Sequence, residues 1–375
     1  MRSISLGLFA VAVLLCGDLA SQESEQSSVA EIAPADESVF LSRVRRLTFE
    51  GKRAGEGYFS ADGRQLIFQS ERELENPFYQ IYLLDLETGD SRLVSPGMGK
   101  TTCAFLRPGH QQALFSSTHH DPRTAELAAE EFAARESGNE RRYAWDYDPE
   151  MDIYLVDLVS GELTRLTEQQ GYDAEGSYSP DGEWIVFASN REAYQRELSD
   201  EETRLLEVDS AYFADLYRMR ADGSQVEKIT GVPGYDGGPF FTPDGEQVVW
   251  RRFSEDGLTA EIWIAMADGS EAKQLTAFGA MSWAPYSHPS GDYIVFASNK
   301  LGFANFELYM IDTEGKREPV RVTTTDGFDG LPVFSPDGQD LIWTSSRHGD
   351  GGQLYRANWN DAAARAALAE SPPRD

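Results

Sequence analysis

Six copies of one pattern of apolar, aromatic and turn-forming residues run along the chain. The clearest copy reads VFSPDG at 333–338 and continues into the apolar run LIW at 341–343. Counting from the Pro position of each copy, an aromatic stands seven residues later: Phe68, Phe115, Phe187, Trp250, Phe296 and Trp343. A second aromatic follows in an apolar-aromatic pair: Tyr82, Tyr154, Tyr217, Trp263, Tyr309 and Tyr355. Asp-Gly pairs favour tight turns, because Gly accepts a positive φ and Asp binds the nearby backbone.

Each copy predicts four short strands, which we label a to d. Strand a ends at the turn, strands b and c carry the two aromatics, and strand d carries a Leu-Thr-like step. These steps lie at 93–94, 166–167, 229–230, 275–276 and 322–323. A four-stranded repeat of roughly 46 residues is typical of a propeller blade. We therefore expect an all-β fold, a six-bladed β-propeller of four-stranded blades.

The sixth copy has no Leu-Thr step of its own. The missing step stands at the other end of the pattern, as Arg46-Leu47-Thr48. We therefore expect the N-terminal strand to complete the last blade, which removes the open sheet edge and closes the ring.

Two copies carry insertions between strands b and c, at 118–148 and 192–212. Composition predicts a helix at 124–134 in the first insertion. Ser199 and Glu202 form a capping-box pattern that opens a helix in the second. In a propeller the b–c and d–a connections share one face, so the insertions are expected to build a lip over one channel mouth.

The N-terminal residues predict export. Arg2 and the apolar run at 6–16 resemble a signal peptide, here assigned to 1–21, and the run is too short to span a bilayer. Cys16 lies in a sequence similar to a lipoprotein box, so lipidation at Cys16 with membrane anchoring and cleavage near residue 20 are both considered. We expect an acidic tether at 22–43, the propeller at 44–359 and a helical tail at 360–375.

Composition narrows the classes of partner. The chain of 375 residues has 33 Lys and Arg against 63 Asp and Glu, a formal net charge of -30. Such a surface repels phosphate backbones, so we predict no nucleic-acid binding. Without Cys16, Cys103 has no intrachain partner for a disulfide. We expect a monomer that is periplasmic or anchored in the cell envelope.

The repeat also aligns polar residues of the predicted d–a and b–c loops. Seven of them are candidates for binding an anionic group at the channel mouth: Arg72, Asp173, Arg191, Asp236, Lys300, Asp329 and Arg347. The alternative is that these cations and carboxylates pair with each other and hold the loops. Trp145 and Tyr147, in an aromatic and acidic stretch, are candidates for a stacking platform, with packing of the lip as the alternative.

Catalytic motifs are sparse. His119 and His120 are weak candidates for metal ligands, because adjacent His side chains seldom converge on one ion. The sequence has no Gly-x-Ser-x-Gly and no His-Glu-x-x-His motif. We predict no cofactor and assign no catalytic residue. With only a short tail after Trp359, the chain is expected to be a propeller without a catalytic domain.

The runs 178–191 and 334–347 closely resemble the repeat of the TolB-like (WD40-like) β-propeller family. The resemblance covers about residues 44–359. It implies a propeller fold and, as in TolB, a role in binding an envelope protein. TolB also has an N-terminal α/β domain, whereas here only a short tether precedes the first strand. Similar patterns occur in propeller lyases that act on uronate polymers with a His-bound metal.

Two functional hypotheses follow. The first is a non-catalytic module of the bacterial cell envelope that binds a protein or peptide through the lipped face. The second is a propeller enzyme, a lyase or hydrolase that acts on carbohydrate at the channel mouth. The sequence favours the first.

Overall fold

Six four-stranded antiparallel sheets form the body of the protein. The computed structural model describes residues 36–138, 147–349 and 351–374. The predicted signal peptide, Cys16 and Trp145 lie outside the described residues. In chain order the strands are β1 (Leu41–Arg46), β2 (Arg53–Phe59), β3 (Gln65–Glu71), β4 (Gln80–Asp85), β5 (Ser91–Leu93), β6 (Thr101–Leu106), β7 (Gln112–Ser117), β8 (Asp152–Asp157), β9 (Leu163–Arg165), β10 (Asp173–Tyr178), β11 (Trp184–Ser189), β12 (Asp215–Arg220), β13 (Glu227–Lys228), β14 (Asp236–Phe241), β15 (Gln247–Phe253), β16 (Ala260–Met266), β17 (Lys273–Gln274), β18 (Ser282–Ser287), β19 (Tyr293–Ser298), β20 (Glu307–Asp312), β21 (Val320–Arg321), β22 (Asp329–Phe334), β23 (Asp340–Ser345) and β24 (Gln353–Trp359).

The sheets follow the chain in order, one blade after another. Blades I to V are β2–β5, β6–β9, β10–β13, β14–β17 and β18–β21, and blade VI consists of β22, β23, β24 and β1. Strand β1 pairs antiparallel with β24, from Leu41 opposite Trp359 to Arg46 opposite Tyr355. The predicted six-bladed propeller and its closure by the N-terminal strand are confirmed.

The two aromatics of each repeat stand opposite each other on strands b and c. In blade I, for example, Phe68 pairs with Tyr82 across the ladder, and their ring centroids are 5.9 Å apart. The equivalent pair in blade VI, Trp343 and Tyr355, has a separation of 6.1 Å. The first aromatic is fully buried in all six blades. This pairing explains why the sequence repeats both aromatics, since cross-strand pairs stabilise a sheet face.

The hydroxyl of the Leu-Thr step accepts a backbone hydrogen bond from strand c. In blade II the N–H of Ile153 donates to Thr167 Oγ1 at 2.9 Å. In blade I the same bond runs from Ile81 to Ser95 Oγ, also at 2.9 Å. The step of blade I is therefore 94–95, and its placement at 93–94 from sequence was one residue early, because Ser replaces the diagnostic Thr.

The Ser-Pro-Asp-Gly phrase forms the a–b turn. Ser335 donates its hydroxyl proton to Asp337 Oδ1 at 2.6 Å, and the N–H of Gly338 donates to the Ser335 carbonyl at 2.8 Å. Gly338 has φ +68, which favours glycine. The turn that this phrase forms is thus an architectural element, and the other blades form the equivalent turn with related residues.

Helices lie in the insertions and at the C-terminus: α1 (Thr124–Glu136), α2 (Glu192–Gln195), α3 (Asp200–Val208) and α4 (Asp361–Glu370), with 3₁₀ turns at Glu37–Val39 and Ser210–Phe213. The predicted capping box is present, because the Ser199 hydroxyl accepts from the N–H of Glu202 at 3.2 Å and Glu202 accepts from the N–H of Ser199 at 2.9 Å. Within the described ranges, no helix is both long and apolar enough to cross a membrane.

Regular structure begins before the expected propeller boundary at residue 44. The turn at Glu37–Val39 and the start of β1 lie inside the segment that the sequence assigned to a tether. Glu37 forms an ion pair with Arg347 at 3.1 Å, which attaches this segment to blade VI.

Antiparallel strand order divides the connections between two faces. The b–c and d–a connections, including both insertions, lie on one face, which we call the insertion face. The a–b and c–d turns lie on the other, the turn face. Helix α1 contacts blade I, where Arg135 pairs with Glu71 at 2.6 Å.

Candidate functional site

The innermost strand of every blade contains a β-bulge at the same repeat position. The register of strands a and b shifts there in all six blades. The six bulge residues share a left-handed backbone, with φ between 50 and 61: Glu56, Cys103, Glu175, Gly238, Ala284 and Leu331. Non-glycine residues adopt this conformation at a cost of about 1–2 kcal/mol each. We call these residues the bulge ring, and together they line a cavity of about 30 Å³ at the propeller axis.

Aromatic side chains meet across the axis below the bulge ring, towards the turn face. Tyr58 of blade I and Phe240 of blade IV, which stand on opposite sides of the ring, have centroids only 5.5 Å apart. The centre of the Phe105 ring lies 5.1 Å from that of the Tyr58 ring, and the centre of the Tyr286 ring lies 5.3 Å from that of the Phe240 ring. These four side chains form an aromatic plug, so the cavities above it open towards the insertion face.

A buried ion pair joins blades III and IV at the bulge ring. Arg251 donates from one guanidinium nitrogen to both carboxylate oxygens of Glu175, at 3.1 and 3.0 Å. Tyr235 donates its hydroxyl proton to Glu175 and accepts a hydrogen bond from Arg251. Both charged side chains are 5% exposed. Because desolvation is costly, the pairing neutralises Arg251 at a depth where an unpaired cation would be unfavourable.

Glu56 is the second acid of the bulge ring. Tyr58 donates to its Oε1 at 3.2 Å, whereas Oε2 is buried without a hydrogen-bond partner among the described residues. Burial raises the pKa of Glu56 to about 7, and repulsion from Glu175 adds to the shift. Glu56 therefore holds a proton near neutral pH much more readily than an exposed carboxyl does.

A larger pocket of about 300 Å³ opens beside the axis on the insertion face. Its walls come from both insertions and from blades IV and V, and they include six aromatic side chains: Tyr147, Tyr212, Tyr235, Phe253, Trp283 and Phe306. Arg251 lines both this pocket and the axial cavity. We call it the insertion-face pocket.

Two carboxylates stand at the mouth of the insertion-face pocket. Asp209 follows helix α3 and Glu255 lies in the b–c loop of blade IV, and both are exposed. Tyr212 donates to Glu255 at 3.4 Å. Arg251 is the one basic side chain among the described lining residues, and Glu175 already neutralises it. The pocket therefore combines aromatic walls with a negative rim.

Four of the candidate binding residues form two buried ion pairs. Arg191 donates to Asp173 at 2.6 and 3.1 Å, and its guanidinium lies over the Phe187 and Tyr217 rings. Arg347 pairs with Asp329 at 2.8 Å in the same way. These pairs close the aromatic layer of their own blades. Whether they also bind a ligand stays a prediction.

The other aligned candidates are also engaged within their blades. Asp236 accepts two hydrogen bonds from Arg252 at 2.7 Å each. Arg72 pairs with Glu50 at 3.1 Å, and the Lys300 ammonium stands 4.0 Å from the centre of the Phe278 ring. None of these residues lines the insertion-face pocket within the described structure.

Of the two aromatic candidates, Tyr147 lines the insertion-face pocket. It packs edge-on against Tyr172 and Tyr235, with centroids at 5.0 and 5.4 Å. Tyr147 therefore packs within the lip and also lines the pocket, and its role as a stacking platform for a ligand stays a prediction.

The histidines of blade II are held by neighbouring side chains. His120 Nδ1 lies 2.9 Å from the Tyr154 hydroxyl oxygen, and His120 Nε2 lies 2.9 Å from a guanidinium nitrogen of Arg165. His119 contacts the Tyr154 ring, and burial lowers its pKa to about 4. In the part of the chain that the structure describes, no three His, Cys, Asp or Glu side chains are placed to hold a metal ion.

Exposed apolar side chains concentrate on the insertion face. The described residues include thirteen large hydrophobic side chains that are exposed. Eight of these lie in b–c or d–a loops: Phe49, Leu74, Met98, Val208, Val232, Leu258, Leu301 and Phe303. Only Val159 and Val226 lie in turns of the opposite face. The exposed apolar side chains are therefore unevenly divided between the two faces, with most of them on the insertion face.

Sequence reasoning missed the bulge ring and most of the pocket. The bulge ring had a usable signal, because its residues all stand five positions before the repeat anchor. Glu occurs there twice, at 56 and 175, and the other four blades carry four different residue types, so no motif is visible until the backbone is known. The pocket residues come from loops of unequal length, which the repeat does not align.

Comparisons with known proteins agree with this architecture. A family model described as the TolB beta propeller domain matches residues 253–371. The fold of the chain is similar to that of the TolB beta propeller domain. An uncharacterized protein of Agrobacterium fabrum is 34% identical over 119 residues, which is 32% of this chain and 34% of that protein. The chain thus matches only about a third of the length of this curated relative.

Solved structures of the same fold include TolB proteins and a lyase. A TolB-like protein from Agrobacterium tumefaciens superposes with a TM-score of 0.57 at 19% identity, covering 84% of this chain and 93% of that one. An oligogalacturonate lyase in complex with manganese gives 0.52 at 19% identity, covering 86% and 94%. At these identities the likeness concerns the fold alone, so function has to be argued from the site.

Proposed function

We propose that this TolB-like propeller is an exported, non-catalytic module that binds a protein or peptide in the bacterial cell envelope. The observation that carries the proposal is the concentration of exposed apolar side chains on the insertion face. Leu258 and Phe303, from neighbouring loops of blades IV and V, are 66% and 81% exposed. A partner that covers such side chains removes apolar surface from water, which favours association.

The buried ion pairs support a binding role for the same face. Arg191 with Asp173 and Arg347 with Asp329 fix the ends of strands a and b in blades III and VI. They hold the loop bases rigid, so a partner meets a surface that is largely pre-formed. Pre-organisation lowers the entropy cost of binding.

The test is capture from envelope extracts by the purified chain. The variant Leu258→Ser with Phe303→Ser removes apolar contacts from the insertion face. The variant Val159→Ser with Val226→Ser makes a matched change on the turn face. We expect mass spectrometry to find an envelope protein retained by the wild type and the turn-face variant and lost from the insertion-face variant. Equal capture by both variants would count against the proposal.

Export is part of the same proposal and has its own measurement. The sequence at 1–21 predicts a signal peptide, and Cys16 predicts acylation. Cell fractionation should place the chain in the envelope, and intact-mass measurement should show an acylated Cys16 or cleavage near residue 20. A full-length chain in the cytoplasmic fraction contradicts this part.

Carbohydrate cleavage is the second candidate, and the aromatic walls of the insertion-face pocket favour it because sugar rings stack on aromatic side chains. The assay is turnover of oligogalacturonate with and without added manganese, followed by absorbance of the unsaturated product. Metal-dependent product formation supports this candidate. Binding of oligogalacturonate without product formation supports a non-catalytic binding module instead.

A further inference from the structure

We infer that the insertion-face pocket binds the cationic side chain of a lysine or arginine presented by the partner. This inference deepens the proposed function, since it names the chemistry of the anchor at the same face. The shape and the charge of the pocket both favour such a ligand. A volume of about 300 Å³ suits one long side chain with part of its backbone.

The aromatic walls supply the first part of the recognition. Rings of Tyr212, Phe253 and Phe306 line the pocket from the second insertion, the end of β15 and the b–c loop of blade V. A cation over an aromatic face is attracted by the ring quadrupole, and the long aliphatic stem of Lys or Arg packs on the same rings. The chain already uses this contact, because Lys300 lies 4.0 Å from the centre of the Phe278 ring.

The rim supplies the second part. Asp209 and Glu255 are exposed at the mouth, and neither forms an ion pair with a described residue. Arg251 at the base does not repel a cation strongly, because its charge is compensated by Glu175 at 3.0 Å. The surrounding chain carries a formal net charge of -30, which attracts cationic segments from a distance.

The surroundings of the pocket define the segment around the cation. Leu258 adjoins Gly257 of the pocket lining, and Leu301 and Phe303 precede Phe306 in the next loop. All three apolar side chains are more than half exposed. The geometry therefore fits a partner segment in which a basic residue is flanked by apolar residues.

The experiment titrates the purified chain with N-acetyl methylamides of lysine, arginine, norleucine and glutamate and follows binding by calorimetry. We expect the two cationic probes to bind about tenfold more tightly than norleucine, an uncharged analogue of the lysine stem. We expect the glutamate probe not to bind. Raising the salt from about 0.05 to about 0.5 M should weaken binding of the cations only.

Variants assign the binding to the pocket. Asp209→Asn with Glu255→Gln should reduce cation affinity about three- to tenfold. Tyr212→Leu, which keeps an apolar wall but removes the ring, should reduce it as well. The control Glu87→Gln with Glu183→Gln removes two exposed carboxylates from the turn face and should change nothing. Circular dichroism establishes that each variant is folded.

The outcomes separate this inference from the proposed function. Any of three results overturns the inference: norleucine binds as tightly as lysine, the pocket variants keep the wild-type affinity, or the pocket prefers a neutral or acidic sugar. Partner capture that still depends on Leu258 and Phe303 would then leave the proposed function standing. If the pocket binds cations but the chain captures no partner, the proposed function is overturned, whereas the inference that the pocket takes a cationic ligand stands.

Discussion

The backbone N–H of Leu354 donates to the Thr48 hydroxyl at 3.0 Å, a bond between residues 306 positions apart in the chain. It is the equivalent in blade VI of the bond from Leu308 to Thr323 in blade V, at 2.9 Å. In blade V both residues belong to one continuous repeat. In blade VI the same bond attaches the N-terminal segment to the last blade and thereby closes the ring.

Replacing Thr48 with Val should therefore loosen the closure. Loss of the hydroxyl leaves the buried N–H of Leu354 unpaired, which we expect to cost about 1–2 kcal/mol of unfolding free energy. Hydrogen exchange in β1 should accelerate before the other blades are affected. Thr323→Val is the matched control, with a similar loss of stability but no selective exposure of β1. Uniform exchange in both variants would contradict a special role of the closure.

Glu56→Gln should stabilise the protein in alkaline but not in acidic solution. The pKa of Glu56 is raised to about 7 from an ordinary value of 4.5, so the folded state binds its proton more tightly than the unfolded state does. Its stability contribution is lost as the pH rises through this interval, by about 3 kcal/mol in total.

Urea unfolding of wild type and Glu56→Gln at about pH 5 and about pH 8 measures this difference. The variant should gain stability relative to wild type only at the higher pH. The exposed Glu87→Gln should show no such dependence. A gain for Glu56→Gln that is equal at both pH values would contradict the assignment.

Arg191→Ala should destabilise the fold strongly. It leaves Asp173, which is fully buried, without its partner at 2.6 Å, and breaking a buried pair costs about 3–5 kcal/mol. Burial raises the pKa of Asp173 to about 6, and Arg191 opposes the shift. The loss should therefore be smaller at about pH 5, where Asp173 takes up a proton.

Chemical denaturation again provides the measurement, with Arg196→Ala as the control. Arg196 pairs with Glu202 at the surface, and both side chains are more than a third exposed, so its loss should cost less than about 1 kcal/mol. Similar losses in the two variants would show that the Arg191 pair is no stronger than a surface contact.

Cys103 should resist thiol reagents in the folded protein. It is 3% exposed, and burial raises the pKa of its thiol well above the usual value, so the reactive thiolate is rare. In a Cys16→Ser background, labelling should appear only after denaturant is added. Rapid labelling of the native chain would indicate that the bulge ring opens readily.

The repeat predicted the propeller because its two aromatics pack against each other between strands b and c in every blade. Phe68 and Trp343 differ in size, yet both are buried and both face an aromatic on strand c. Even the closure was visible, since Thr48 keeps the hydroxyl that its blade needs. The step of blade I was misplaced because Ser95 supplies that hydroxyl in place of Thr.

The site was less predictable for a physical reason. Glu175 and Arg251 are adjacent only because the bulge turns strand a towards the axis. Glu175 recurs only as Glu56 in blade I, and Arg251 does not recur at its repeat position in any other blade. The aligned cations Arg191 and Arg347 were visible for the opposite reason: they recur because each completes the aromatic layer of its blade. Positions that recur along this chain therefore reveal its architecture. Asp209 and Glu255 at the pocket mouth do not recur, so the repeat could not reveal them.

The aromatic plug gives the insertion-face pocket a kinetic property. Since Tyr58 and Phe240 meet across the axis, whatever enters from the insertion face must leave by the same opening. A docked partner that covers this opening would hold its own anchor in place, and a small molecule already inside would have to depart first. The anchor could then leave the pocket only when the partner dissociates, so both would have the same residence time.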